Sequence, residues 1–306
     1  MPDLDLDQRF VLVGVMPGPA PDLPDALLGL LDGAEITPEG PPRLLGAGEA
    51  STAAEIVFRP PSHTAAEALH GLSATFFADT AILPLANRRK RLLISDMDST
   101  IIGEECLDEL ADFAGLKTEI SAITERAMRG ELNFEEALTT RVAMLKGLPL
   151  QAVKDCFETR IHLNRGATTL VATMAAEGAR CLLVSGGFTA FTEQVANAAG
   201  FHGHSANTLI DDGASLTGKV QLPILGRAAK LDRLNQAVAD LNIELRDTLA
   251  IGDGANDLAM IEAAGLGLAY RAKPIVAEKA HASIAYTDLT SALFFQGYHE
   301  DEFVTS

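Results

Sequence analysis

Asp96-Met97-Asp98-Ser99-Thr100 sets two carboxylates one residue apart, directly behind the apolar run Arg91-Leu92-Leu93-Ile94-Ser95. Alternate positions at a strand end point in different directions, so one carboxylate can attack while the other manages protons. A carboxylate is a competent nucleophile toward a phosphoryl group, and hydrolysis in two displacements needs an acid for the leaving alkoxide and a base for the incoming water. On its own such a pair serves equally well as a turn, a helix cap or a plain metal site. Gly252-Asp253-Gly254-Ala255-Asn256-Asp257 is more specific. Its glycines permit a tight turn, and Asp253, Asn256 and Asp257 offer oxygen ligands at helix-like spacing. Magnesium prefers a few carboxylates and keeps water and phosphate oxygens, so Asp96, the backbone carbonyl of Asp98, Asp253 and Asp257 are the candidate shell for Mg2+. Ser185-Gly186-Gly187 precedes a helix expected from about Phe188, where free N–H groups favour an anion. Lys230, on a helix expected over 227–241, can lend a point charge to phosphate, although a lone helical lysine is usually solvated.

These segments need a scaffold that brings them together. Arg91 to Ser95, Arg180-Cys181-Leu182-Leu183-Val184 and Thr248-Leu249-Ala250-Ile251-Gly252 are apolar runs that each enter a polar loop and then a helical stretch. Continuous apolar strands separated by helices imply a Rossmann-like parallel sheet, covered by helices on both faces, with ligands bound at the strands' carboxyl ends. The fold class is therefore α/β. Residues 104–164, rich in helix formers, are too long for a simple crossover and are expected as a helical cap, the kind of lid that excludes water. Residues 206–222, with Asp211-Asp212-Gly213 between β-like runs, read as a hairpin flap. Residues 1–86 mix β-like runs at 10–15 and 54–58 with a helical stretch near 25–31, a small α+β domain; residues 87–306 form the second domain. The basic run Arg88-Arg89-Lys90-Arg91 between them is expected to be a solvated junction.

The chain has 306 residues, enough for one large and one smaller core, and carries a formal charge of −18 from 24 basic and 42 acidic residues. That charge repels nucleic acid and anionic membrane surfaces. The cysteines Cys106, Cys156 and Cys181 have neither metal-ligand nor redox spacing, which fits a reducing compartment. With an acidic start and no apolar run long enough to span a bilayer, a cytoplasmic protein is expected. A homodimer is allowed but not required.

The order Asp-x-Asp, Ser-Gly, Lys, Gly-Asp-Gly-x-Asn-Asp resembles the haloacid dehalogenase-like phosphatases, from about residue 91 to the C-terminus. Within them the motifs Asp96 to Thr100 and Gly252 to Leu258 resemble the phosphoserine-hydrolysing branch. The resemblance implies Asp96 as nucleophile, Asp98 as general acid and then base, Ser185, Gly186 and Lys230 as phosphate binders, and Asp253 as the remaining magnesium carboxylate. It also implies cap contacts: Glu105 for the substrate ammonium, Arg141 for its carboxylate, and Met128 and Phe134 as apolar lid residues; Asn256 joins the substrate contacts. Hydrolysis of phosphoserine, the last step of serine biosynthesis, is the implied activity. Where the family more often has proline before Gly166, this chain has Arg165. The N-terminal part is similar to small ACT-like extensions, which leaves a regulatory amino-acid site there as an expectation. The alternatives are a phosphotransferase or a phosphatase for another small phosphomonoester, and an amino-acid sensor.

Overall fold

The computed structural model describes residues 6–128 and 131–305. The N-terminal part runs β1 (Phe10–Pro17), α1 (Leu23–Gly33), β2 (Arg43–Ala47), β3 (Ser51–Phe58), α2 (His63–Ala74) and β4 (Asp79–Pro84). Then come β5 (Leu92–Ser95) and four helices, α3 (Cys106–Phe113), α4 (Lys117–Met128), α5 (Phe134–Met144) and α6 (Leu150–Arg160), which make up the cap insert. The chain returns through α7 (Ala167–Ala176), β6 (Arg180–Phe188), α8 (Thr189–Ala199) and β7 (Gly203–Asn207). A two-stranded flap follows, β8 (Leu209–Asp211) and β9 (Leu216–Val220), then α9 (Arg227–Leu241) and β10 (Thr248–Gly252). The last elements are α10 (Leu258–Ala263), β11 (Leu266–Tyr270), α11 (Pro274–Ala277), β12 (Ala282–Ile284) and α12 (Ser291–Phe295).

One sheet holds ten of the strands, in the order β2-β3-β1-β4-β12-β11-β10-β5-β6-β7. From β12 to β7 every pairing is parallel. The three apolar runs of the sequence are adjacent here as β10, β5 and β6, and all of β5 and β10 is buried. The chain leaves β5 toward β6 and β7 on one side, then crosses back through α9 to β10 on the other. This reversal opens a crevice at the carboxyl ends of β5 and β10, where ligands settle in doubly wound sheets. Above it α5 begins with a reciprocal cap: the Asn133 side chain accepts from the Glu136 N–H at 2.9 Å and the Glu136 carboxylate accepts from the Asn133 N–H at 3.0 Å. The flap ties to the cap through Gly147 N–H to Leu216 O, 2.8 Å, and Leu216 N–H to Leu148 O, 2.9 Å. Gly218, with φ +75°, passes so close to α5 that a Cβ would meet the Ala143 carbonyl at 3.1 Å.

The antiparallel N-terminal strands extend the same sheet through a single β4–β12 pair, Ala81 opposite Ala282. Two buried polar groups hold this junction. Asp79, 2% exposed, accepts the N–H groups of Ala285, Tyr286 and Thr287 at 2.7, 3.0 and 2.9 Å, and also the Thr287 hydroxyl. Arg88 pairs with buried Glu55 at 2.7 Å and donates to the carbonyls of Phe294 and Phe295. The basic run is thus not the solvated junction its sequence suggests. Arg88 is buried between β3 and α12, and Lys90 is buried with its Nζ donating to the Asn87 and Arg246 carbonyls at 2.7 Å each; burial pulls the Lys90 ammonium down to about 8. Arg89 and Arg91 alone stay exposed. The physical reason is that α12 ends beside β3 with carbonyls that need donors, and a guanidinium supplies several at once. Arg88→Ala is expected to cost about 2 kcal/mol, because it leaves the Phe294 and Phe295 carbonyls without their donor while Glu55 keeps only its pair with the exposed Arg43 at 2.6 Å. The loss would appear as a lower urea midpoint; an unchanged midpoint would show that the clamp contributes nothing.

Candidate active site

Asp96 follows β5 and its N–H still bonds the Ile251 carbonyl of β10 at 2.9 Å, so the sheet ladder fixes its backbone. Its Oδ1 accepts from the Met97 N–H at 2.7 Å and its Oδ2 lies 2.7 Å from the Lys230 ammonium. The chain then turns sharply: the N–H groups of Thr100, Ile101 and Ile102 converge on the Met97 carbonyl, and Ser99 takes φ +55°. That turn brings Asp98 back over the end of β6. Its Oδ1 accepts from the Cys106 N–H at 2.9 Å and its Oδ2 from the Ser185 hydroxyl at 3.1 Å. Burial, with Glu105 and Asp96 close by, pushes the Asp98 carboxyl up to about 7.

Lys230 is 3% exposed and spans Asp96 and Asp257, at 2.7 and 2.5 Å. Burial alone would lower its pKa, but the two carboxylates outweigh that and hold the ammonium above the ordinary lysine range. Asp257 is fully buried, and its Oδ2 accepts the Gly254 N–H at 3.0 Å. It can tuck under the loop only because residue 252 is glycine: a Cβ there would lie 2.4 Å from Asp257 Cγ. Burial and then Asp96 raise Asp257 to about 7 and Asp253 to about 6. Carboxylate oxygens of Asp96, Asp253 and Asp257 all lie within 4.8 Å of one another. Three crowded carboxylates, two of them raised, suit a small oxygen-seeking cation, which would relieve their repulsion.

From the cap, Glu105 accepts the Ser99 hydroxyl at 2.7 Å, and burial together with Asp96 and Asp108 raises it. Arg141 is half buried; its Nε donates to the Ala137 carbonyl at 3.2 Å, and it forms no ion pair among the described residues. Burial lowers the Arg141 guanidinium, and Asp108 and Glu105 oppose that. Phe134 is 43% exposed and reaches down to the core loops: a Cβ on Gly186 would meet its ring at 3.5 Å, and one on Gly226 at 3.8 Å. Ser185 lies inside β6, which runs on to Phe188, and its Oγ accepts the Gly187 N–H at 2.8 Å. Asn256 is exposed at the rim, its amide over Gly254. Met128 closes α4, and its side chain lies outside the described residues.

The fold thus gathers Asp96, Asp98, Ser185, Lys230, Asp253 and Asp257 at one sheet edge, with Glu105 and Phe134 arriving from the cap. Sequence reasoning passed over Ser99, which ties Glu105 to the Asp96 loop, and Asn207, taken up below. A positive φ at a serine leaves no mark in a sequence. The burial of Lys230 did have one, since Lys230, Leu234 and Ala237 share the i, i+4, i+7 stripe that α9 turns to the sheet. A groove of 260 Å³ beside Arg91, Arg180 and His202 opens at the opposite, amino-terminal end of the strands.

A parallel sheet with carboxylates and one buried lysine at its carboxyl edge, under a helical lid, is the architecture of an α/β enzyme for a small charged substrate. Residues 93–262 match the family described as haloacid dehalogenase-like hydrolase. This chain belongs to that family. Phosphoserine phosphatase of Streptococcus thermophilus is 45% identical over 200 residues, covering 65% of this chain and 93% of the relative. Phosphoserine phosphatase of Streptomyces coelicolor is 40% identical over 232 residues, 75% of this chain but 56% of the relative, so the match spans little more than half of that longer protein. A haloacid dehalogenase family hydrolase from Salmonella enterica serovar Typhi superposes with a TM-score of 0.82 at 31% identity, covering 94% of this chain and 98% of that one. Coverage of 94% carries that similarity beyond residues 87–306 into the N-terminal part. No helix among the described residues is long and apolar enough to cross a membrane.

Proposed function

We propose that this protein hydrolyses O-phosphoserine to serine and inorganic phosphate through an aspartyl-phosphate on Asp96. The observation that carries the reading is the unequal environment of two neighbouring carboxylates. Asp96 stands against a buried ammonium, whereas Asp98 accepts from the Ser185 hydroxyl and the Cys106 N–H and is raised by burial to about 7. Carboxylates made unequal in this way divide the work of nucleophile and acid.

An Asp96 oxygen attacks phosphorus as the ester P–O bond breaks, and protonated Asp98 gives its proton to the departing serine oxygen. Water then attacks the acyl phosphate, Asp98 takes the water's proton, and the Asp96 carboxylate leaves phosphate behind. Lys230 balances charge on the Asp96 side, and Ser185 with the Gly186–Gly187 peptide borders the phosphate. Asp96, the Asp98 carbonyl, Asp253 and Asp257 would hold Mg2+. When bound, the ion supplies positive charge where the phosphoryl oxygens gather it. Glu105 and Arg141 present an anion and a cation to a substrate that carries an ammonium and a carboxylate, and Phe134 shields the bond from water. Residues 1–86 act as a small regulatory domain, residues 87–306 as the catalytic one, and the enzyme works in the cytoplasm, where its three buried free thiols stay reduced. A panel of phosphomonoesters, with and without magnesium, tests the reading by phosphate release; a rate on phosphoserine no higher than on simple alkyl phosphates would overturn it.

Cation binding also sets a stability signature. Asp98, Asp253 and Asp257 are raised from 3.8 to about 7, 6 and 7. Their favourable contribution in the metal-free protein is therefore complete below pH 3.8 and lost as pH rises through about 7. Magnesium should raise the melting temperature by several degrees at pH 8 and much less at pH 5, measured against chelator. An equal shift at both pH values would refute the carboxylate cluster as the binding site.

A further inference from the structure

Ser185 and Lys230 come from different segments, and one buried side chain touches the backbone beside both. Asn207, the last residue of β7, is 2% exposed. Its Nδ2 donates to the Gly186 carbonyl at 2.9 Å and to the Leu225 carbonyl at 3.3 Å, while its Oδ1 accepts the Leu225 N–H at 2.7 Å. Gly186 follows Ser185, and Leu225 lies just before α9, the helix that carries Lys230. One amide thus uses its donors and its acceptor to bind the end of β6 to the turn before α9, segments that the chain itself joins only through α8, β7 and the flap.

The consequence reaches the reacting groups through one peptide. Asn207 holds the carbonyl of the Gly186–Gly187 peptide, and the N–H of that same peptide donates to Ser185 Oγ at 2.8 Å. With its oxygen receiving that N–H, the serine hydroxyl directs its own hydrogen to Asp98 Oδ2, 3.1 Å away. Hydrogen bonds linked in series polarise one another, so the amide, the peptide, the hydroxyl and the carboxyl act as a unit. Aspartate at 207 would keep an acceptor for Leu225 but set a carboxylate oxygen against two carbonyls, which breaks the series at its first link.

We infer that Asn207 is a positioning residue: through the Gly186–Gly187 peptide it orients the Ser185 hydroxyl toward Asp98 and the phosphate. The inference rests on the reading of Ser185 and Asp98 as the phosphate-handling groups. A double-mutant cycle on kcat/KM tests it, with Asn207→Asp, Ser185→Ala and the double variant assayed on p-nitrophenyl phosphate and on phosphoserine. Asn207→Asp should lower kcat/KM roughly 10²-fold in the parent enzyme, as losing one aligned donor does. In the Ser185→Ala background the same change should cost no more than about threefold, because the hydroxyl it orients is gone. Equal losses in both backgrounds would overturn the inference, since a residue that only stabilises the fold acts independently of Ser185. Urea midpoints establish that folded proteins are compared, and Asn207→Ser, smaller and uncharged, repeats the cycle if the aspartate variant does not fold. Lack of preference for phosphoserine over p-nitrophenyl phosphate in the parent would defeat the substrate assignment instead, and leave the cycle readable on the simpler ester.

Discussion

Asp96→Asn is expected to leave a folded protein whose turnover falls on the order of 10⁴-fold or more, the scale on which loss of a nucleophile registers. The amide matches the carboxylate in shape but not in charge, and it cannot close an acyl phosphate of the same kind. Its two ends face donors on both sides, the Met97 N–H at 2.7 Å and the Lys230 ammonium at 2.7 Å. Whichever way the amide turns, its NH2 group meets a donor, so some stability is lost along with activity. Lys230 keeps Asp257 as a partner, which limits the damage. Two measurements check the expectation: steady-state phosphate release, and trapping of a phosphorylated peptide containing Asp96, which should be present in the parent and absent in the variant. Undiminished turnover by Asp96→Asn would remove the covalent mechanism altogether.

Arg141→Ala carries the second large effect, and it concerns substrate choice. Arg141 is a half-buried guanidinium without an ion pair among the described residues, opposite Glu105 in the cap. Such a cation is poised to receive a carboxylate by two parallel hydrogen bonds. Removing it leaves the substrate carboxylate enclosed and unpaired, so kcat/KM for phosphoserine should drop roughly 10²-fold or more. Phosphoethanolamine keeps the ammonium and the phosphate but has no carboxylate, and its kcat/KM should change by less than about threefold. Parallel losses on both esters would mean that Arg141 supports the lid rather than reading the substrate. Undiminished turnover of phosphoserine would place its carboxylate elsewhere.

The carboxylate motifs were legible in the sequence because each is local. Asp96 and Asp98 sit at the end of one strand, and Gly252 to Asp257 is one tight turn whose glycines admit no side chain. The parallel sheet was legible too, since strands buried on both faces must be apolar throughout. The N-terminal strands were harder. β1 is as apolar as a core strand, yet β2 at the sheet's edge is short and its register against β3 breaks between Leu44 and Gly46, and nothing local shows that β4 would meet β12. Arg88 looked solvated because its partner Glu55 and the carbonyls of Phe294 and Phe295 lie far along the chain. Asn207 gave no sign for the same reason, its partners being 18 and 21 residues away.

The sequence by itself determined the reactive groups, their order along the chain and the strands that end beside them, because these depend on residue type and short-range periodicity. The tertiary structure decided which of those groups meet and in what state of charge. Asp98 stands near neutrality only because the fold buries it beside Asp96 and Glu105, and Lys230 is a buried cation rather than a solvated one only because α9 lays it between two carboxylates. Burial and charge proximity are properties of distance in space, and for residues so far apart in the chain that distance exists only after the sheet has closed.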